Sequence, residues 1–344
     1  MAAKRQEEQR RARRRKLFRG LALGSAAVGL PALANALVSR RTRPLDAPTW
    51  GRARRYAWRL GEISYQQLGG PRAGERPLVL LHSFGPGHDS EEWRTVAEIM
   101  AHERQVYAVD LLGWGRSDRP RITYDDELYI EMVRDFLVDT VGEPVVLAAA
   151  GLSAAYAVQV AVDHPERVEA LALVTPAGID VHGDEPDLKD ALAYGLLRLP
   201  LVGTSALNLY TSRASIQHHL HRDMYGAPER VDAALIEHRH RSSHQPGSHS
   251  ALAAYLCGYL NHPVVDVVAR LKSPLWIAWG SRATSPPIES ADLWIRQKPD
   301  SELEVFRGAG DLPHEERAAH FCSRMRRFLS ADVAGRRVGQ REER

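Results

Sequence analysis

Cysteine, N-terminal acidic residues and long apolar runs are all scarce in this chain, and each shortage narrows what it can be. Only Cys257 and Cys322 occur among 344 residues. They are too few and too far apart for a disulfide framework or a zinc site, and they leave the redox compartment open. Internal repeats and low-complexity tracts are missing, and a hydrophobic content of 44% argues against disorder. Positions 1–55 hold three acidic residues against 15 Lys and Arg, while the remainder holds 40 against 31. The net charge of +3 therefore hides a cationic end on a mildly acidic body. Such a body speaks against a nucleic-acid partner, whereas a cationic end beside an apolar stretch suits an anionic membrane surface.

One uncharged run stands out. Residues 4–19 are dense in Lys and Arg, Gly20 to Ser39 carry no charge, and Arg40, Arg41 and Arg43 follow. Twenty helical residues at about 1.5 Å each span roughly the 30 Å of a bilayer core. Pro31, Asn35 and five Gly or Ser residues weaken the run as a span. A retained membrane segment over 17–39 is the leading expectation, with an amphipathic or disordered tail as a lesser one. An export signal ending in Ala34-Asn35-Ala36 is another, and Arg14-Arg15 allows a twin-arginine route. Nine basic residues precede the run and six follow it as far as Arg55. The positive-inside rule then puts the domain on the extracytoplasmic side. Residues 1–16 read as a basic tail, 40–55 as a linker and 331–344 as a charged, frayed tail.

From about Tyr56 to residue 330, short apolar runs alternate with amphipathic stretches, the signal of strands and crossover helices in a mostly parallel sheet. The clearest strands are Pro77–Leu81, Gln105–Val109, Val145–Ala149, Ala170–Thr175, Leu275–Trp279 and Glu302–Phe306. Between about 178 and 262 the text is helix-like, broken by Pro and Gly. It reads as a helical cap inserted over the carboxyl edge of the sheet, where open α/β sheets bind ligands. The expected fold class is thus α/β, with a mostly parallel central sheet flanked by helices.

Four turns fall in a recognisable order. Leu78–Leu81 runs into His82-Ser83-Phe84-Gly85, and Val106–Val109 continues as Asp110-Leu111-Leu112-Gly113-Trp114-Gly115-Arg116-Ser117-Asp118-Arg119-Pro120. Val145–Gly151 leads into Leu152-Ser153-Ala154-Ala155 and a helix ending near His164-Pro165-Glu166-Arg167. Near the end stands Gly308-Ala309-Gly310-Asp311-Leu312-Pro313-His314-Glu315. Over residues 56–330 this succession resembles the α/β-hydrolase superfamily, in a prokaryotic form carrying its own membrane segment. The resemblance implies a nucleophile on the tight turn after Val145–Ala149, an oxyanion hole, an acid and a histidine.

Counting back from His164 puts Gly151 at the nucleophile's position, and glycine has no side chain to attack with. The acid's position holds Ala283 and the histidine's holds Asp311. The resemblance therefore implies a degenerate catalytic triad. A competing register reads Gly151-Leu152-Ser153-Ala154-Ala155 as a variant elbow with Ser153 as nucleophile, served by His314 or His82 as base and Asp311 as acid. The oxyanion donors would be the backbone N–H groups of Phe84 and Leu152, which do not depend on side-chain identity. Ser83 stands where the family usually has glycine.

The cap is rich in histidine. His240 and His244, four apart, could share a helix face and bind a metal, but interleaved Arg239 and Arg241 favour a solvated or pocket-edge surface. His244 is the cap residue expected to touch a ligand, and Leu207, Tyr210, Tyr255 and Tyr259 read as ordinary packing. The leading expectation is a membrane-tethered protein binding a small apolar or acyl ligand beneath its cap, with no metal and no cofactor. Its alternatives are an esterase-like or lyase-like enzyme built on Ser153, and an interaction domain whose cleft is filled.

Overall fold

The computed structural model describes residues 31–38, 40, 42–179 and 186–342, with side chains as far as residue 331. The expected basic tail at 1–16 and most of the expected membrane segment at 17–39 lie outside the described residues. No helix of the described residues is long and apolar enough to cross a membrane.

Six of the eight strands are the expected apolar runs: β3 (Leu78–Leu81), β4 (Val106–Val109), β5 (Val145–Ala150), β6 (Val168–Val174), β7 (Leu275–Gly280) and β8 (Glu302–Phe306). They pair in parallel, in the order β4-β3-β5-β6-β7-β8. Two antiparallel strands extend the sheet beyond β4: β2 (Gly61–Leu68), and β1 (Arg52–Trp58) at the edge. β1 begins inside the stretch expected to be linker. Its Arg-Ala-Arg-Arg text hides the strand, since an edge strand with mostly exposed side chains needs no apolar face and is set by backbone pairing to β2.

The central strands are apolar throughout because both sheet faces are covered. On one face lie α1 (Arg94–Met100) and the last helix, α11 (Ala318–Glu342), with Trp93, Met100, Phe321 and Met325 in the shared core. That helix continues through the residues expected to fray, as far as 342. The other face carries α2 (Asp126–Phe136), α3 (Ser153–Asp163) and α9 (Ala291–Gln297), with Tyr129, Tyr156 and Trp294 in its core.

Between β6 and β7 the described residues form no strand, and five helices make the cap: α4 (Leu188–Leu197), α5 (Val202–Tyr210), α6 (Arg213–His219), α7 (Ala233–Ser243) and α8 (Ser248–Leu256). Polar side chains start three of them: Asp187, Ser212 and Asp232 each accept a first-turn N–H. One carboxylate fastens cap to sheet. Glu316, at the end of α10 (Pro313–Glu316), accepts from Gly226 N at 3.1 Å, Ala227 N at 2.9 Å and Gly310 N at 2.6 Å.

Candidate ligand-binding site

Strand β5 passes into α3 through a single tight turn at Gly151, whose φ of +56° lies in the left-handed region that glycine adopts without cost. A Cβ on Gly151 would overlap the hydroxyl of Ser83, which comes from the loop after β3. The Ser83 N–H donates to Glu92 Oε1 at 2.7 Å. Glu92 is fully buried, with His88 Nδ1 at 2.7 Å, His314 Nε2 at 3.7 Å and Arg239 Nη2 at 3.8 Å. Burial alone would raise this carboxyl, but the neighbouring histidine rings outweigh it and hold it well below the usual carboxylate range. Burial pushes His88 down to about 4, and the Arg239 guanidinium is a cation beside the carboxylate. The loop carrying Ser83 and Phe84 is therefore held from behind by an ionised group that solvent does not reach.

A cavity of about 250 Å³ opens between this turn and the cap. Its floor includes Ser83, Phe84, Gly151 and Leu152, and Thr175 and Asp311 reach it from the ends of β6 and the loop after β8. His219, Met224 and Tyr255 close it from the cap, and Asn261 and Ser285 complete much of the polar lining. Phe84 is fixed edge-on against Trp114, Tyr129 and Tyr156 and lies parallel to Tyr255, with centroids 6.4 Å apart.

Two polar groups in this lining are unusual. Thr175 is held at φ +41°, the one non-glycine residue at positive φ among the described residues, and its buried hydroxyl has no hydrogen-bond partner. A β-branched residue is strained there, and strain of this kind collects at ligand sites. Asp311 accepts from Thr284 N at 2.8 Å, yet burial pushes its carboxyl up to about 7, with Asp223 and Glu316 adding to the effect. Near neutral pH it is thus balanced between hydrogen-bond donor and anion. Across the cavity His219 Nδ1 lies 3.0 Å from Asp223 Oδ2.

The structure brings Gly151, Asp311, Phe84 and Leu152 onto one cavity and leaves the remaining expected site residues off its lining. Ala283 sits beside it, its successor Thr284 bonding Asp311. Ser153 is fully buried in the first turn of α3, its hydroxyl 2.8 Å from His82 O and 2.9 Å from Ala150 O. His82 has both ring nitrogens committed, Nδ1 to Ser83 O at 2.6 Å and Nε2 accepting from Leu111 N at 3.0 Å. His314 is fully buried against Trp93, ring centroids 4.0 Å apart. His244 is placed away from the cavity: Nδ1 bonds His240 O at 2.8 Å, Nε2 lies 3.3 Å from Thr211 Oγ1, and burial pushes the ring down to about 4. The cap histidine that faces the cavity is His219.

Sequence reasoning passed over Thr175, Asn261 and Ser285, and took Tyr255 for packing. Thr175 alone carried a signal, as the last residue of an apolar run before Pro176-Ala177-Gly178. Tyr255 and Asn261 arrive from the cap and its margin, and Ser285 from the loop after β7, where no motif marks them.

Residues 78–324 match the alpha/beta hydrolase family. The chain belongs to that family. Among relatives within it, an uncharacterized protein of Mycobacterium tuberculosis (strain ATCC 25618 / H37Rv) is 29% identical over 273 residues, covering 75% of this chain and 76% of the relative. The 2-hydroxymuconate semialdehyde hydrolase of Pseudomonas sp. (strain CF600) is 27% identical over 272 residues, 75% of this chain and 88% of that enzyme. Among solved structures, a serine hydrolase involved in carbazole degradation superposes with a TM-score of 0.66 at 22% identity, covering 81% of this chain and 99% of the other. That likeness establishes the shared alpha/beta hydrolase fold.

Proposed function

We propose that this member of the α/β-hydrolase family works without the Ser-Asp-His triad and binds a small apolar or acyl ligand in the cavity under its cap. The observation that carries this reading is the composition of the cavity floor. The turn that would present a nucleophile is Gly151, and the volume beside it is taken by the Ser83 hydroxyl. Ser153, His82 and His314, the groups on which an esterase-like reading would depend, have their polar atoms turned into the protein. A nucleophile needs a base within hydrogen-bond reach, so their burial supports binding over acyl transfer.

Phe84 and Leu152 flank the Gly151 turn, and among the described residues neither backbone N–H has a backbone acceptor. They would receive a ligand carbonyl, with the Thr175 hydroxyl and protonated Asp311 as further polar contacts and Phe84, Met224 and Tyr255 around the chain. The reading includes tethering to a membrane through the N-terminal basic and uncharged segment, whose last residues, 31–38, lie on the cap through Asn35, with the domain on the extracytoplasmic side. The alternative is export after cleavage.

Treatment of the full chain with a fluorophosphonate probe tests the proposal, with Ser153→Ala and Ser83→Ala as controls and mass spectrometry to place any adduct. No adduct on folded protein is the expected result, together with a small molecule released on denaturation. An adduct on either serine would return the chain to the serine hydrolases.

A further inference from the structure

The first two cap helices present their apolar side to solvent. In α4, Leu188, Leu192 and Leu196 fall at i, i+4 and i+8 and so form one stripe, and they are 76%, 61% and 56% exposed. In α5, Val202 and Leu209, seven apart on one face, are 61% and 74% exposed, with Leu199 exposed between the helices. Stretch 188–210 contains three charged residues: Lys189, Asp190 and Arg198. Asp190 closes the capping box that starts α4, and the stretch carries two cations against this one anion. A contiguous apolar stripe of this kind is what a binding surface looks like in a protein otherwise able to bury its leucines.

What covers it is indicated by the chain leading to it. The helical stretch at 31–38 is the end of the uncharged run, and it lies on α5. Asn35 Nδ2 donates to Leu201 O at 3.3 Å and Ser205 Oγ at 3.0 Å, and Asn208 Nδ2 donates to Asn35 Oδ1 at 3.0 Å. Leu33 and Leu37, again four apart, are exposed there. Beyond Pro31 the chain has thirty more residues, with nine Lys and Arg against two Glu. The apolar face of the cap is thus continuous in sequence with a cationic segment, and both attractions suit an anionic bilayer: apolar side chains in the headgroup boundary, Lys and Arg at the phosphates.

We infer that α4, α5 and the stretch at 31–38 form an interfacial docking surface, which seats the cap on an anionic lipid bilayer and not merely near one. The inference rests on the membrane-tethered reading above. Because α4 and α5 pack on α8, and α8 carries Tyr255 into the cavity, the docked surface is one helix layer from the ligand site. The ligand would then reach the cavity from the lipid phase, in keeping with an apolar or acyl molecule.

The test uses the full chain with vesicles of phosphatidylethanolamine and phosphatidylglycerol. An environment-sensitive maleimide dye is placed at Leu192→Cys, or at Leu209→Cys in case the first variant folds poorly. Val305→Cys on β8, at the far end of the sheet, is the control. The native Cys257 and Cys322 are buried. The expected result is flotation with the vesicles, with dye quenching by bilayer spin labels at 192 and 209 and none at 305. Flotation without quenching at 192 and 209 overturns docking while leaving the tether intact, and failure to float overturns both. A dye already shielded without vesicles also overturns the inference: dependence on protein concentration would identify a second copy as the cover, and independence the chain's own N-terminal segment.

Discussion

The hydroxyl of Ser83 occupies the space that a side chain on Gly151 would need. The two positions therefore cannot both carry a side chain without movement, and the serine lies on the partner loop, where the family usually has glycine. Gly151→Ser alone should cost about 2–4 kcal/mol, from the positive φ and the overlap together. Adding Ser83→Gly should remove the overlap and leave roughly 1–2 kcal/mol of backbone strain. Urea denaturation of both single variants and the double variant reads the coupling directly. Additive effects would mean the two side chains do not share that space.

Asp311 should make stability depend on pH in a defined window. Its folded carboxyl is pushed up to about 7 from an ordinary 3.8 by burial, with Asp223 and Glu316 adding to it. The folded state thus holds a proton that the unfolded state releases. Stability from this group is intact below about pH 4, declines as pH rises, and levels off above about 7. Asp311→Asn keeps the acceptor for Thr284 N and cannot ionise. The variant should match the wild type at pH 4 and exceed it by about 2–4 kcal/mol at pH 8. A gap that is the same at both pH values would show that Asp311 is ionised throughout.

How much of this was legible in the sequence follows from where side chains are forced. Strands β3 to β7 are covered on both faces, so their text is apolar; β8 lies at the edge with mostly exposed side chains, yet all six could be read within two residues of their true ends. The Gly151 turn was readable because Val145–Ala150 before it and the His164-Pro165 helix end after it favour that register over the competing one that puts Ser153 on the elbow. β1 was not, because an edge strand written Arg-Ala-Arg-Arg owes its place to backbone bonds. His244 was expected at the ligand and Tyr255 in the packing, whereas the structure places Tyr255 on the cavity lining and His244 off it. Both sit on cap helices whose packing angles decide which side chains face the sheet, and no periodicity records that angle.

Glu316 should be a stability hinge between cap and sheet. It accepts three backbone N–H groups, from Gly226, Ala227 and Gly310, while almost wholly buried. Glu316→Ala leaves those donors without an acceptor, at a cost of about 3–5 kcal/mol. Glu316→Gln keeps one carbonyl acceptor and should recover part of it. Hydrogen exchange in the alanine variant should rise first at 224–227 and 308–311, ahead of the central strands. Uniform exchange across the sheet would mean the cap does not open independently.

Thr175 offers a variant whose effect should change sign between the free and the occupied protein. Its buried hydroxyl has no hydrogen-bond partner among the described residues, and leaving such a group unpaired costs about 1–3 kcal/mol. Thr175→Val preserves the branched shape and the backbone demand while deleting that hydroxyl. The free variant should therefore be more stable than the wild type by about 1 kcal/mol in urea denaturation. If the hydroxyl is kept unpaired to meet a ligand carbonyl, the same variant should bind a short-chain methyl ester more weakly by about 1 kcal/mol, roughly fivefold in Kd by calorimetry. A gain in stability with unchanged affinity would remove Thr175 from the binding contacts. It would leave Phe84, Leu152 and Asp311 to hold the carbonyl among them.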